Sequence, residues 1–129
     1  MTDLVTVLLL ANNRPEFLER AILSVLKQDH EELELLIVQD SDNEVVREIA
    51  GAAVSTDGRV RYWKREKRGN IAEASNWGVR KGSGEYIAII DDDDFWLTNR
   101  KLGMQLQFLR EHPDHIALGG GVVLVNPRP

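Results

Sequence analysis

The 129-residue chain contains no cysteine. That absence excludes a disulfide frame, a thiolate zinc site and a cysteine nucleophile. Long apolar runs are also missing. The stretch Val5–Leu10 is far too short to span a membrane. The N-terminus lacks the basic segment and apolar core of a signal peptide, so a cytoplasmic protein is expected. Positive charge is in deficit, with 16 Lys and Arg against 21 Asp and Glu, a net charge of −5. This argues against nucleic acid held on a general basic surface, yet leaves room for one small phosphorylated ligand held through a metal. The three histidines, His30, His112 and His115, fall in turns without metal-ligand spacing and read as surface residues. No internal repeat or low-complexity segment is present.

What remains is 43% hydrophobic and 29% charged, the composition of one globular, soluble domain with one core. Its centre is Ile87-Ala88-Ile89-Ile90 followed by Asp91-Asp92-Asp93-Asp94-Phe95-Trp96. A short apolar run reads as a buried strand, and it empties into four consecutive carboxylates. At ~4 Å each like-charged pair costs about 1 kcal/mol in water and about 4 kcal/mol when partly desolvated. Such a cluster calls for a cation, and hard oxygen donors suit Mg²⁺ or Mn²⁺ rather than zinc. The plainer alternative is an acidic loop that solvates the strand end and caps the next helix, but a cap needs one carboxylate and not four.

Strands are expected at residues 4–10, 33–38, 59–63 and 85–90, with further strands at 116–118 and 122–125. The first two and the fourth are apolar enough to be covered on both faces. The third alternates polar with apolar and belongs nearer an edge. Helices lie between them. Asn13 is expected to cap the first, with Pro15 in its first turn, Glu16 at the capping-box position and a buried stripe from Phe17 to Leu26. The second runs from about Asn43 to Ala52 and is followed by a turn at residues 55–58. The third starts at an Asn70-x-x-Glu73 capping box and stops at Gly82-Ser83-Gly84. Thr98 is expected to cap a fourth, with Leu102, Leu106 and Leu109 buried, ending at His112-Pro113. The basic run Lys64-Arg65-Glu66-Lys67-Arg68-Gly69 is either a solvated loop or a phosphate contact at the third helix's N-terminus. Trp63, Trp77 and Trp96 read as core or cleft wall. Alternating strands and helices imply an α/β fold: an open, mainly parallel sheet with helices on both faces. Ligands of such sheets gather outside the carboxyl ends of the strands, which brings the turns at residues 11–13, 39–42 and 91–94 to one edge.

Several segments together resemble the inverting family-2 nucleotide-sugar glycosyltransferases, whose fold is GT-A, with a Rossmann-like nucleotide-binding half. They are Leu10-Ala11-Asn12-Asn13-Arg14-Pro15, Val38-Gln39-Asp40-Ser41-Asp42, Gly69-Asn70-Ile71-Ala72-Glu73-Ala74-Ser75-Asn76-Trp77-Gly78, Gly84-Glu85-Tyr86-Ile87 leading into the acidic run, and Glu111-His112-Pro113-Asp114. The resemblance implies that Asp40 contacts a uracil-type base or its ribose. It implies Asp93 as the metal contact, with Asp91 near ribose and metal and Asp94 assisting. Ala11 and Asn13 border the nucleotide, and Asn70 and Asp92 complete the substrate-binding set. The implied partners are a nucleotide-sugar donor and a glycan or lipid-linked acceptor, with Mn²⁺ or Mg²⁺ as cofactor. Leu10 and Asn12 replace the family's Pro and Tyr, Gln39 its first Asp and Ser75 an Arg, which bears on nucleotide identity. The family's domain continues into an acceptor-binding half that carries the general base. The expectation is therefore one nucleotide-sugar-binding domain over residues 1–129, either a fragment, an excised domain or a chain completed by another subunit, with no catalytic base of its own. A half-sheet would expose an apolar edge, so a homo-oligomer is also expected. Two other readings share the pattern: a non-catalytic binding or assembly module of the same fold, and a receiver-type signalling domain. The second wants a Lys at a late strand end, where this chain has Gly119 and Val125.

Overall fold

A computed structural model describes residues 3–66 and 70–126. The order of elements is β1 (Val5–Leu10), α1 (Pro15–Leu26), β2 (Leu33–Gln39), α2 (Glu44–Thr56), β3 (Val60–Lys64), α3 (Ile71–Lys81), β4 (Tyr86–Asp91) and α4 (Lys101–Glu111). The strands form one sheet in the order β3-β2-β1-β4, and every pairing is parallel. Parallel neighbours need crossover connections, and the helices supply them on both faces. Val5, Val7 and Leu9 of β1 and Leu33, Leu35 and Ile37 of β2 face α1, α2 and α4 in the larger core. The alternate residues Leu8, Leu36 and Val38 face α3, where Trp63, Trp77 and Val79 close a second, smaller core. Leu8, Leu36 and Ile37 are fully buried, each worth about 1.5–3 kcal/mol over an exposed side chain. Trp63 and Trp77 meet edge to face at 5.9 Å, as wall residues.

Several element boundaries differ from expectation, each for a local reason. The N-cap of α1 is Arg14 and not Asn13, because Pro15 opens the helix with its φ preset and no N–H to satisfy. Asn43 does cap α2, accepting from the amides of Val45 and Val46. That helix runs on to Thr56, because the Ser55 and Thr56 hydroxyls bond back to the carbonyls of Gly51 and Ala52 instead of making a turn. Asn70 caps α3 through the amide of Glu73 at 2.8 Å. The first turn of α4 is met by Gln28, whose side-chain oxygen accepts from the amide of Leu102 at 3.1 Å. Thr98 bonds the amide of Arg100 before the helix begins and does not cap it. Residues 116–118 and 122–125 form no strand. The outer edge of β4 has no neighbour among the described residues, and without a ladder these apolar segments stay irregular and exposed, Ile116 at 98% and Leu124 at 94%. His112 and His115 pack around the Phe108 ring. Lys67, Arg68 and Gly69 of the basic run, and residues 127–129, lie outside the described residues. No helix among the described residues is long and apolar enough to cross a membrane.

One acidic residue is built into the sheet at the start of β2. Glu34 on β2 is 8% exposed, on the face covered by α3. Its carboxylate accepts the Thr6 hydroxyl at 2.6 Å and the Ser83 amide, and pairs with Arg61. Burial pushes the carboxyl up, but the Thr6 hydroxyl, the Ser83 amide and Arg61 outweigh it and hold it below the ordinary range. Gly84 donates to the same Thr6 hydroxyl at 2.9 Å, so this cluster sets where β4 begins. A Cβ on Gly84 would lie 2.6 Å from the Thr6 amide nitrogen and 2.8 Å from the Leu4 carbonyl, both backbone atoms that cannot step aside.

Two predictions follow from this clasp. Because the folded carboxyl of Glu34 is depressed, its stabilisation is complete above the unfolded value of about 4.3 and is lost as pH falls through the folded value. Glu34→Gln should therefore cost about 1–3 kcal/mol at neutral pH and flatten the acid limb of the stability curve, read by urea unfolding from pH 7 to 3. Gly84→Ala should destabilise by about 1–3 kcal/mol in thermal unfolding. In contrast, Gly51→Ala, in open space on α2, should stabilise by up to about 1 kcal/mol.

Candidate functional site

The strands β2, β1 and β4 are adjacent and in register, with Leu10 opposite both Val38 and Asp91. The turns that follow them therefore emerge side by side. Asn12 ties all three together. Its side-chain oxygen accepts the Asp40 amide at 2.9 Å, its own amide donates to the Asp92 carboxylate at 3.2 Å, and its carbonyl accepts the Ser41 hydroxyl. The side chain thus serves the turn after β2, while the backbone amide of the same residue serves the turn after β4.

Behind Asp40 the end of β2 is held by Gln39, which is fully buried. The Gln39 amide nitrogen donates to the Ser41 hydroxyl at 3.1 Å and to the Asn43 carbonyl at 3.0 Å, and its oxygen accepts the Tyr62 hydroxyl at 2.6 Å. An ionised carboxylate cannot donate, so an Asp here could not hold the same turn. The Asp40 side chain is only 11% exposed, and one oxygen lies 3.3 Å from the Arg65 guanidinium. The other, Oδ1, is buried without a hydrogen-bond partner among the described residues. Asp40 lines a cleft of about 160 Å³ together with Leu10, Asn12, Asn13, Ser41 and Ile71. Asn13 is exposed at its mouth. Ala11 is fully buried, and its amide is already bonded to the Val38 carbonyl at 2.8 Å. The Asn70 side chain is engaged in capping α3, whose next residues Ile71 and Ala74 line the cleft.

At the end of β4 the four carboxylates part company. Asp91, Asp93 and Asp94 each offer an oxygen within 4.8 Å of the others, at the surface. Asp92 turns inward, its side chain 5% exposed, bonded to the Asn12 amide and to Arg14 at 2.7 Å. Arg14 reaches Asp93 as well, at 2.5 Å. Burial and then the charges of Asp93 and Asp91 raise the Asp94 carboxyl above the ordinary range, with Arg14 and Arg20 offsetting only part. Arg20 of α1 stacks on Phe95, 4.1 Å from the ring centroid, and braces the loop from below. Three clustered oxygen donors with no sulfur or imidazole fit Mg²⁺ or Mn²⁺, which take the rest of their shell from water and phosphate. Beside them opens a larger hollow of about 770 Å³, lined by Asp91, Asp93, Asp94, Trp96 and Lys101 among others.

Asp40 and Asp93 thus stand on one rim, Asp40 in the small cleft and Asp93 at the hollow, joined through Asn12, Asp92 and Arg14. Sequence reasoning missed Asn12 and Arg14 as working residues. The available signal was a long cation two residues after an amide in the turn that the sheet topology brings to the acidic run.

Comparison with known proteins identifies the family and the fold. The family model described as glycosyl transferase family 2 matches residues 6–124. An uncharacterized glycosyltransferase of Rickettsia bellii (strain RML369-C) is 36% identical over 108 residues, covering 84% of this chain and 15% of the relative. Among solved structures, a mannosyltransferase of Pyrobaculum calidifontis in complex with GDP-Man and Mn²⁺ superposes with a TM-score of 0.75 at 22% identity, over 81% of this chain and 32% of that one. The S. aureus protein TarS, residues 1–349 with UDP-GlcNAc, gives 0.72 at 20% identity, over 84% and 32%. The chain therefore spans a third or less of these proteins, and their shared fold, an α/β Rossmann-like sheet, is the one seen here. With the family model matching from β1 almost to the last described residue, the chain belongs to glycosyl transferase family 2.

Proposed function

We propose that the chain is the donor-binding portion of a glycosyltransferase, taking a nucleoside-diphosphate sugar, a UDP-sugar by preference, for inverting transfer to an acceptor hydroxyl. The observation that carries the reading is the buried Oδ1 of Asp40, without a partner among the described residues and aligned on one rim with the Asp91, Asp93 and Asp94 cluster. A buried carboxylate oxygen without a donor is costly, and a ligand N–H or O–H would satisfy it. Because Arg65 already takes the other oxygen, a single donor is wanted. The N3–H of uracil or one ribose hydroxyl fits that better than the paired donors of guanine. The small cleft flanked by Leu10 and Ile71 would hold the base between aliphatic groups, where the family has an aromatic. The structural neighbours were solved with GDP-Man and with UDP-GlcNAc, so both base classes occur on this fold.

Asp91, Asp93 and Asp94 would hold Mn²⁺ or Mg²⁺, which when bound neutralises charge on the departing diphosphate. The chain's own residues do the positioning: Asn12 fixes the distance between base site and acidic cluster, and Asp92 keeps the cluster's loop pinned inward. An inverting displacement also needs a base on the face opposite the leaving group. We assign that carboxylate to a part of the protein beyond residues 1–129, along with the contacts to a glycan or lipid-linked acceptor, and we place the activity in the cytoplasm.

Calorimetric titration with UDP tests the reading. UDP should bind at least about tenfold more tightly with Mn²⁺ than without. Asp93→Ala should remove that metal dependence. Asp40→Asn should weaken UDP about 10–100-fold with or without the ion, the loss expected for a charged hydrogen bond. Binding that ignores Mn²⁺, or that survives Asp93→Ala unchanged, would sink the proposal.

A further inference from the structure

We infer that Arg14 is an internal cation that occupies Asp93 until a divalent ion displaces it, making ion and nucleotide bind cooperatively. This rests on the reading that Asp91, Asp93 and Asp94 take such an ion. Arg14 caps α1 without a side-chain cap bond, which leaves its guanidinium free to reach across to the β4 loop. One edge meets Asp92 at 2.7 Å and the other meets Asp93 at 2.5 Å. The two contacts are not equivalent. The Asp92 side chain is 5% exposed and also holds the Asn12 amide, so its pairing with Arg14 belongs to the folded frame. Losing it would leave a buried charge uncompensated. The Asp93 side chain is 37% exposed, and an ion pair open to water is weak and exchangeable. Asp93 is also one of the three carboxylates whose oxygens cluster within 4.8 Å.

The same Asp93 carboxylate therefore has two claimants, a guanidinium already in place and a divalent ion. An ion arriving alone must detach Asp93 from Arg14 and then tolerate a like charge beside it. A diphosphate removes both penalties. It brings negative charge against the ion, and it offers an anionic oxygen to the guanidinium edge that Asp93 gives up. Arg14 stays tethered by Asp92 throughout. Arg14 is in this sense a positioning residue: it keeps the acidic cluster quiet when no donor is present and couples the ion to the nucleotide. Coupling of this kind is reciprocal, so the nucleotide tightens the ion by the same factor that the ion tightens the nucleotide.

The test is Mn²⁺ binding, followed by the loss of the free-ion paramagnetic resonance signal, with and without UDP. The 129-residue chain should bind Mn²⁺ weakly alone and at least about tenfold more tightly with UDP. Arg14→Gln should bind Mn²⁺ alone about fivefold more tightly than the parent chain, and the gain from UDP should shrink by a similar factor. A role in folding alone would not raise ion affinity. If Arg14→Gln fails to fold because Asp92 is left unpaired, the double variant Arg14→Gln/Asp92→Asn removes both charges and should show the same gain. Arg110→Gln, which removes a cation paired with Asp3 just before β1, at the end of the sheet remote from the acidic cluster, should leave Mn²⁺ binding close to the parent value. If neither Arg14 variant binds Mn²⁺ more tightly while the parent chain still takes Mn²⁺ with UDP, the inference is overturned and the proposed function stands. If the parent chain takes no Mn²⁺ even with UDP, the proposed function fails and the inference with it.

Discussion

Everything at the rim depends on β1 lying inside the sheet, paired in parallel with β2 on one side and β4 on the other. A strand in that position is covered on both faces, and β1 can be because its residues are apolar on both, apart from Thr6, whose hydroxyl is bonded to Glu34. The register then leaves no freedom: with Leu10 opposite Val38 and Asp91, the next residues of all three strands must turn out at the same height. Asn12, Asp40 and Asp92 are neighbours because the hydrophobic ladders behind them are aligned. Their hydrogen bonds are the consequence. A one-residue slip of β4 would turn Asp91 toward the opposite face and break the link from Asn12 to Asp92.

The sheet carries one buried carboxylate at each end, and the two are treated alike. Glu34, at the end remote from the site, takes a hydroxyl, an amide and an arginine. Asp92, on the site's rim, takes an amide and an arginine. In both cases an anion that would be costly in the interior is made tolerable by a charged partner plus backbone donors. The difference is what the arginine does with its other edge. Arg61 extends outward over Trp63, whereas Arg14 extends to a second carboxylate. The remote pair closes on itself, and the rim pair remains open to a ligand.

The legible part of the fold was the part governed by hydrophobic period. The four helices, the four strands, their parallel direction and the convergence of three turns all follow from runs such as Leu8-Leu9-Leu10 and from stripes such as Leu18, Ala21, Ile22, Val25 and Leu102, Leu106. What could not be read depended on partners distant in sequence. Gln28 meets the start of α4 across 74 residues, and no local signal at Thr98 announces it. Residues 122–125 have strand composition, yet composition cannot supply a neighbouring strand. At the site, four adjacent aspartates look equivalent in sequence. They separate into three outward groups and one inward group only when Asn12 and Arg14 arrive from the turn after β1.

The replacement of an acidic residue by Gln39 is best understood through the same economy of charge. The rim already gathers Asp40, Asp91, Asp92, Asp93 and Asp94, with Arg14 and Arg65 as its directly bonded cations among the described residues. Another carboxylate at the buried position 39 would add a further negative charge to that rim. It would also lose both donor bonds that hold Ser41 and the start of α2. The neutral amide keeps those bonds, keeps the acceptor for Tyr62, and leaves Asp40 with a buried oxygen that has no partner among the described residues. The effect is to concentrate recognition on one atom: a single acceptor, rigidly held from behind by Gln39 and from the side by Asn12. A ligand that cannot present a donor there leaves that oxygen buried and unsatisfied, and this is how a site with few contacts can still discriminate.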